Sequence, residues 1–414
     1  MILQKKGLVS LKEASFFVAL RYRDFRWLWL GQLVSESGTQ MQVVAVNWHI
    51  YLLTSSPIAL GFIGLFRVAP IIIFSLIGGI YADAFDRKRI MLVSQGTMMV
   101  VALSFFLLTL TGGISVCLIY LLTALTAAAS AFDGPAWQSI VPNLVPREHL
   151  SNALSLNNVM RHTARVLGPA AGGLVIARFG VVACYLANAL SFVAVILAVW
   201  YIKSPVQEKL GVAKFSFPAL KEGISFVFRT PLLKSTILLD FFSTFFSSAS
   251  SLLPIFAKDI LRVGAQGLGF LHAAESVGAV LAGFALSLMG SIRKQGGLLL
   301  VALFLYGGAT CLFGLSRWFE LSLFALALAG GADTVSAIMR QNIRQLNTPD
   351  YLRGRMTSIA RIFSNGGPQL GNLEAGLVAA LIGAPLSVIT GSVATMMLVI
   401  FVALRVPELR KPVV

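Results

Sequence analysis

GGIYADAFDRKRI, residues 78–90, places Asp83, Asp86, Arg87, Lys88 and Arg89 behind a glycine pair and between two apolar runs. The run before it is PIALGFIGLFRVAPIIIFSLI (57–77) and the run after it MLVSQGTMMVVALSFFLLTLTG (91–112). Elsewhere the chain avoids charge: of its 414 residues, 57% are hydrophobic and 12% charged, about half the charge usual in soluble proteins. Such a surface would not stay in water, whereas roughly 20 apolar residues cross the hydrocarbon layer of a bilayer as one helix. The stretch reads as a short charged loop between two membrane spans.

Working outward, twelve such segments follow, at about 26–53, 58–82, 88–110, 114–138, 151–177 and 180–202, then 232–256, 264–290, 296–316, 318–339, 355–381 and 384–406. The first and eleventh are polar enough to face a protein interior rather than lipid. Residues 1–25 lack the apolar core of a cleavable signal peptide and fit a short amphipathic helix on the membrane surface. Only Arg178, Lys258, Arg262 and Arg317 fall opposite the N-terminus, so the positive-inside rule places both termini in the cytoplasm. The net charge of +16 is then a topology signal, and nucleic acid is not an expected partner. Cys117, Cys184 and Cys311 lie far apart within apolar runs and read as small core residues. The four histidines show no metal spacing, and neither a metal nor another cofactor is expected. GxxxxGK[ST], HExxH and GxSxG do not occur, which argues against an ATP-driven pump or an enzyme.

The chain repeats itself. GPAAG at 168–172 returns as GPQLG at 367–371, ALGF at 59–62 as GLGF at 267–270, and Asp133 has a counterpart in Asp333. The nearly constant offset implies two six-helix halves in one orientation, 1–202 and 232–414, joined by a cytoplasmic linker, 203–231. Parallel halves are a known transporter plan, with the substrate site at the midplane between them.

GGIYADAFDRKRI resembles the signature loop between helices two and three of the major facilitator superfamily, with Gly79, Asp83, Arg87 and Lys88 on the pattern and Ala84 where an arginine is usual. LGPAAGG (167–173) is similar to the end of the antiporter motif of drug exporters, carried here by Gly168, Pro169, Gly172 and Gly173. PREHLSNALSLNNVMRHTARVLGPAAGG (146–173) and LRGRMTSIARI (352–362) resemble the drug-efflux branch that contains the enterobactin exporter. The resemblance implies an all-α fold of twelve transmembrane helices in the inner membrane of a bacterium, a monomer that exchanges a small molecule for protons. It further implies that Asp83 meets the start of helix eleven and that Arg87 meets Asp133, latching the halves on the cytoplasmic side. The plainer reading is that Arg87–Arg89 only obey the positive-inside rule. The helix-four arginine of many proton-coupled drug antiporters is absent, which either argues against ordinary proton coupling or moves the cation to Arg67 or Arg165.

Ionisable groups inside spans are costly and face a bundle interior or an aqueous cavity. Here they are Glu36, Arg67, Arg161, Arg165, Asp240, Glu275 and Glu374. Counting residues from the outer ends at 1.5 Å each pairs Arg67 with Glu374 and Arg165 with Glu275 across the halves, as coupling sites or as static bridges. Glu36, in SESGTQMQ (35–42), stands as a contact for substrate or proton, or as a local structural group. The expected function is proton-coupled export of a small amphipathic compound, a siderophore or drug, by alternating access. An importer or a lysophospholipid transporter of the same fold is the alternative, and a non-transporting receptor would need none of these features.

Overall fold

The computed structural model describes residues 17–203, 217–289, 292 and 294–410; for 75–84, 217–221, 223 and 410 it describes the backbone alone. Each long apolar run is helical, because in hydrocarbon every peptide N–H and C=O has to be satisfied within the chain, and a helix does so locally. The first helices are α1 (Arg23–Thr54), α2 (Pro57–Ala84), α3 (Arg87–Leu110), α4 (Val116–Ile140) and α5 (Leu150–Tyr201). A short α6 (Phe217–Arg229) precedes α7 (Pro231–Phe246), α8 (Gly264–Leu288) and α9 (Gln295–Leu315). The last are α10 (Phe319–Leu346), α11 (Arg353–Ile382) and α12 (Ala384–Arg405). No strand occurs among the described residues.

Nine stretches of described residues are long and apolar enough to cross a membrane. One holds α5, which reverses at Gly180 (φ 76°), in the left-handed region that glycine enters without steric cost; Cys184 Sγ there lies 3.5 Å from the carbonyl of Gly172. α5 is therefore two passes, spans five and six. α1 and α11, of 32 and 30 residues, are long enough but polar, as expected of helices that face protein. Among the described residues this makes twelve passes, with the start of α1 and the end of α12 on one face, called the near face below.

Helix pairing repeats. In the first six passes α1 packs on α5, α2 on α4, and α3 on both α4 and α5; in the second six α7 packs on α11 and α12, α8 on α10, and α9 on α10 and α12. The two sets meet along α2–α11 and α5–α8. Close approach there requires glycine: a methyl on Gly173 would sit 2.7 Å from the carbonyl oxygen of Ala265, and one on Gly269 2.5 Å from that of Pro169.

Apolar packing shows where the sets are joined. On the far face one cluster takes in Val44–Tyr51 of α1, Leu60 and Ile63 of α2, Leu252–Ala257, Leu268 of α8 and Ala375 of α11. There the Tyr51 hydroxyl donates to Asp259, and Lys258 Nζ lies 5.2 Å from the Tyr51 ring centroid. On the near face the clusters separate: one draws only on residues 19–202, the others only on residues beyond 226.

One boundary differs from the sequence reading. Segment seven does not continue as α-helix to 256: α7 stops at Phe246, and the chain turns through Ser250–Leu252 into a π turn, Phe256–Ile260. The serines make this break tolerable, since Ser248 and Ser250 donate to Asn372 Oδ1 at 2.7 and 3.1 Å. The stretch expected as a linker, 203–231, contains α6, whose Glu222 pairs with Arg355 at the start of α11. The surface helix expected over 1–25 falls mostly on residues 1–16, outside the described ones; Val18–Arg21 form a 3-10 turn.

Candidate functional site

A cavity of about 250 Å³ lies between the two sets of helices. Each wall is one helical face, built by residues three or four apart that stack on the same side of a helix. α1 gives Gln40, Val43 and Val44; α5 gives His162, Arg165 and Pro169; α8 gives His272, Glu275, Ser276 and Ala279; α10 gives Gly330, Asp333 and Thr334. Its charged groups are thus Arg165, Glu275 and Asp333, with two histidines beside them. Glu36 stands one turn from the cavity and accepts from Gln40 Nε2 at 2.9 Å.

Arg165 and Glu275 share this cavity and feel one another's charge. They do not form an ion pair among the described residues, because they sit on opposite walls with the open space between. Glu275 also feels Asp333, a like charge on α10. The second expected pair, Arg67 with Glu374, is not made. Register between α2 and α11 is set where Gly64 abuts the backbone of Gln369 and Gly61 that of Asn372 and Leu373. From that crossing Arg67 lies one turn toward the near face and Glu374 five residues toward the far face, about 12 Å apart along the axis at 1.5 Å per residue. Arg67 instead acts on His272 of α8.

Of the expected latch, the contact between Arg87 and Asp133 is not made. Arg87 Nη1 donates to the carbonyl of Ser139, at the end of α4, at 2.8 Å. Lys88 Nζ donates to the carbonyls of Trp200 and Ile202, at the end of span six, at 2.9 and 2.8 Å. Both cations thus cap helix C-termini, where unpaired carbonyls and the negative end of the dipole favour them. Asp86 caps α3 from the other side, accepting from the Lys88 backbone N–H at 2.9 Å. Arg87 does not reach Asp133, because Ser139 lies six residues nearer the near face. Asp133 is buried, accepts from Gln95 Nε2 at 3.0 Å, and keeps its Oδ1 without a partner; Ser35 in turn donates to Gln95 at 3.4 Å. The side chain of Asp83 and the surroundings of Gly79 are not among those described.

The two GPxxG segments serve parallel purposes. A methyl on Gly168 would lie 2.5 Å from Gln40 Cβ and one on Gly172 3.2 Å from Met41 Cα, so α5 presses on α1 while Gly173 presses on α8. Gly367 and Gly371 likewise press α11 on Phe241 and Phe245 of α7.

Asp240 is the centre of an ion-paired cluster that the sequence reading missed. Its Oδ1 takes Arg340 Nη2 and its Oδ2 takes Arg344 Nη1, both at 3.2 Å, and Ser364 of α11 also donates to it. The reading assigned Arg340 and Arg344 to the positive near face, and used Asp333 only as a repeat mark. The signal was present: 333, 340 and 344 are spaced seven and four apart, one helical face.

Among the described residues no group of histidines, cysteines and carboxylates could hold a metal ion. Residues 14–412 match a family model described as transmembrane secretion effector. The enterobactin exporter EntS of Shigella boydii serotype 18 (strain CDC 3083-94 / BS512) is 28% identical over 338 residues, 81% of this chain and 80% of that one. Among solved structures, the nucleoside transporter NupG superposes with a TM-score of 0.77 at 11% identity, over 92% of this chain and 98% of the other. A bacterial homolog of the human lysosomal transporter Spinster, inward-facing and unoccupied, gives 0.71 at 16% identity, over 93% and 95%. At those identities the likeness is one of fold. The chain therefore belongs to the transmembrane secretion effector family and is a multi-pass transporter of the major facilitator superfamily, not an enzyme, and it is similar to the enterobactin-exporter-like branch.

Proposed function

We propose that the protein exports a small amphipathic compound of siderophore type from the bacterial cytoplasm, in exchange for protons, by alternating access. The observation that carries this reading is the cavity between the two sets of helices, where Arg165 faces Glu275 and Asp333. A cation in a low-dielectric space attracts acidic groups of a substrate, while carboxylates there can take up and release protons. Substrate and proton then compete for one set of charges, the minimum an exchanger needs. The relative named as an enterobactin exporter supports the substrate class.

The working units are 1–202 and 232–414, rocking on the linker 203–231, in a single chain whose two ends lie in the cytoplasm. The Lys and Arg bias of the near face supports that orientation. In the arrangement described, the far face is joined by one apolar cluster and the near face is not, so the cavity would receive its load from the cytoplasm. At about 250 Å³ it is smaller than the ~300–1,000 Å³ of drug-sized sites, so a bound compound would extend toward the near face, past Arg161 and His162. Opening the far face requires parting Tyr51 from Asp259.

Uptake into inverted membrane vesicles tests this, with an acid-inside gradient and a panel of siderophores, dyes and lysolipids, against Glu275→Gln. Gradient-dependent accumulation of a siderophore, lost in the variant, is the expected result. Accumulation indifferent to both gradient and variant would overturn proton exchange and favour facilitated or lipid transport.

A further inference from the structure

Of the arginines inside the spans, Arg165 has acids facing it and Arg67 has none. Arg165 looks across the cavity at Glu275 and Asp333. Arg67 of α2 makes neither an ion pair nor a hydrogen bond among the described residues, and burial, with no carboxylate beside it, is what acts on its guanidinium. A cation inside a span is costly when no partner offsets its desolvation. An anion brought to Arg67 would supply the missing counter-charge, whereas one brought to Arg165 must compete with two carboxylates.

Two polar groups beside Arg67 also lack partners. His272 of α8 lines the cavity, feels the charge of Arg67, and has its Nε2 buried without a hydrogen bond. Gln369 of α11 has its Oε1 buried in the same condition. Helix packing brings Gln369 to Arg67. Gly64 abuts the Gln369 backbone, and Arg67, three residues on, shares the Gly64 face of α2. At 1.5 Å per residue it stands about 4.5 Å nearer the near face. Side chains incline toward the start of their own helix. Because α2 starts at the far face and α11 at the near face, Arg67 and Gln369 incline toward one another's level. Buried polar groups are normally bonded. Here unpartnered ones come from α2, α8 and α11 together, where the two halves meet.

Their chemistry complements one kind of group. The guanidinium fork takes both oxygens of a carboxylate. A neutral imidazole can donate one N–H to the same group, and the Gln369 carbonyl only accepts. A ligand that satisfies all of them carries a carboxylate for Arg67 and His272 and, on the next atom, a hydroxyl that donates to Gln369. We propose that Arg67, His272 and Gln369 form a subsite beside the cavity for an α-hydroxy carboxylate on the transported compound. This rests on the reading that the cavity receives the exported molecule, and it narrows the class of that molecule. No group in the subsite has to change its charge for the ligand to bind.

The test uses the full chain in detergent and three probes, mandelate, phenylacetate and benzyl alcohol. Mandelate and phenylacetate differ by the α-hydroxyl alone; benzyl alcohol keeps a ring and a hydroxyl and lacks the acid. Dissociation constants are read from the rise in melting temperature over a concentration series. The wild type is expected to bind mandelate about tenfold more tightly than benzyl alcohol, and about 2- to 10-fold more tightly than phenylacetate, the range of one hydrogen bond. Arg67→Gln should weaken both acids by about tenfold, leave benzyl alcohol unchanged, and without ligand melt no lower than the wild type, since it removes a charge that has no partner. His272→Phe should weaken the acids by less. Gln369→Leu should abolish the advantage of mandelate over phenylacetate and keep both acids ahead of benzyl alcohol; it decides the matter if Arg67→Gln does not fold. A wild type that binds the probes alike, or binds none, overturns the proposal. So does Arg67→Gln weakening benzyl alcohol as much as mandelate, or a hydroxyl advantage that survives Gln369→Leu. The vesicle assay keeps the two readings apart. Gradient-driven siderophore export with the probes bound alike removes the subsite and leaves the exporter. The expected probe pattern without gradient-driven export removes proton exchange and leaves the subsite.

Discussion

Asp133 on α4 and Asp333 on α10 occupy corresponding places in the two halves, yet their surroundings differ in kind. Asp133 is held by an amide, Gln95, that is itself held by Ser35, and one of its oxygens has no partner. Asp333 is held by a guanidinium shared with a second carboxylate, Asp240, which a second arginine also clamps. The residues that stand at Arg340 and Arg344 in the second half are Ile140 and Leu144 in the first, at the same offset of 200. The backbone plan has been repeated and the charge plan has not. Buried ion pairs are a poor way to gain stability, since desolvation offsets most of the attraction. Among the described residues the buried ion pairs lie in one half only, beside the cavity.

The contrast is broken most severely at Asp240. Asp240→Ala leaves Arg344 buried without its counter-charge and Arg340 with Asp333 alone, and loss of one partner of such a pair costs about 3–5 kcal/mol. Thermal melting in detergent is expected to show that loss, whereas Asp133→Asn, which replaces an oxygen without a partner, should stay within about 1 kcal/mol, the size of single interhelical hydrogen bonds in membranes. Equal losses at the two positions would mean that the halves do not differ in the way argued.

These two clusters also mark how far the sequence could be read. Twelve passes, the repeat and the glycine contacts were legible, because span length, charge bias and GPxxG depend only on composition along the chain. The cavity was legible in part: Arg165 and Glu275 came forward as lone charges in apolar runs. Arg340 and Arg344 did not, because they sit in the last two turns of α10, where a cation is as readily explained by the near face. Arg67 and Glu374 failed for a different reason. Depth was counted from uncertain segment ends, and an error of a few residues at each end is two turns of helix. Register across α2 and α11 is fixed by which glycine meets which backbone atom, and that is a property of the packed pair.

A second contrast lies between glycines at crossings and glycines that meet nothing. Gly173→Val drives a branched side chain into the backbone of α8, where even a methyl would be 2.7 Å from Ala265 O; overpacking of this sort costs about 1–3 kcal/mol. Gly96 of α3 has no neighbour within 4 Å of an added methyl, so Gly96→Ala should raise stability, by about 0.5–1 kcal/mol on helix propensity. Opposite signs in the two melting curves sharpen the assignment of α5–α8 as a crossing on which the halves move; like signs would remove it. Tyr51→Phe addresses the far face in the same way. It deletes the hydroxyl bound to Asp259 and keeps the ring beneath Lys258, for an effect of about 0.6 kcal/mol. A thiol at Val44→Cys on the cavity wall should then react more readily with an impermeant reagent added from the far face, and an unchanged rate would mean that the apolar cluster alone keeps that face shut.

The smallest expected effect concerns the loop that first identified the fold. Lys88 and Arg89 are neighbours of equal charge, but Lys88 Nζ binds the Trp200 and Ile202 carbonyls at the end of span six, while the Arg89 side chain is 86% exposed and only 3.9 Å from Asp86. If the cluster served topology alone, Lys88→Gln and Arg89→Gln would be equivalent, each removing one positive charge from the near face. A cap on a helix C-terminus contributes about 0.3–1 kcal/mol, and a surface pair of the Arg89 kind contributes little that can be measured. Lys88→Gln is therefore expected to lower the melting temperature slightly and to speed amide hydrogen exchange over the last turn of span six, with Arg89→Gln leaving both unchanged. Exchange is the sharper of the two readings, because fraying of one helix end appears there before it moves a global melting curve. Equal exchange in both variants would return the loop to a topology marker, and leave its two helix caps as incidental contacts of one conformation.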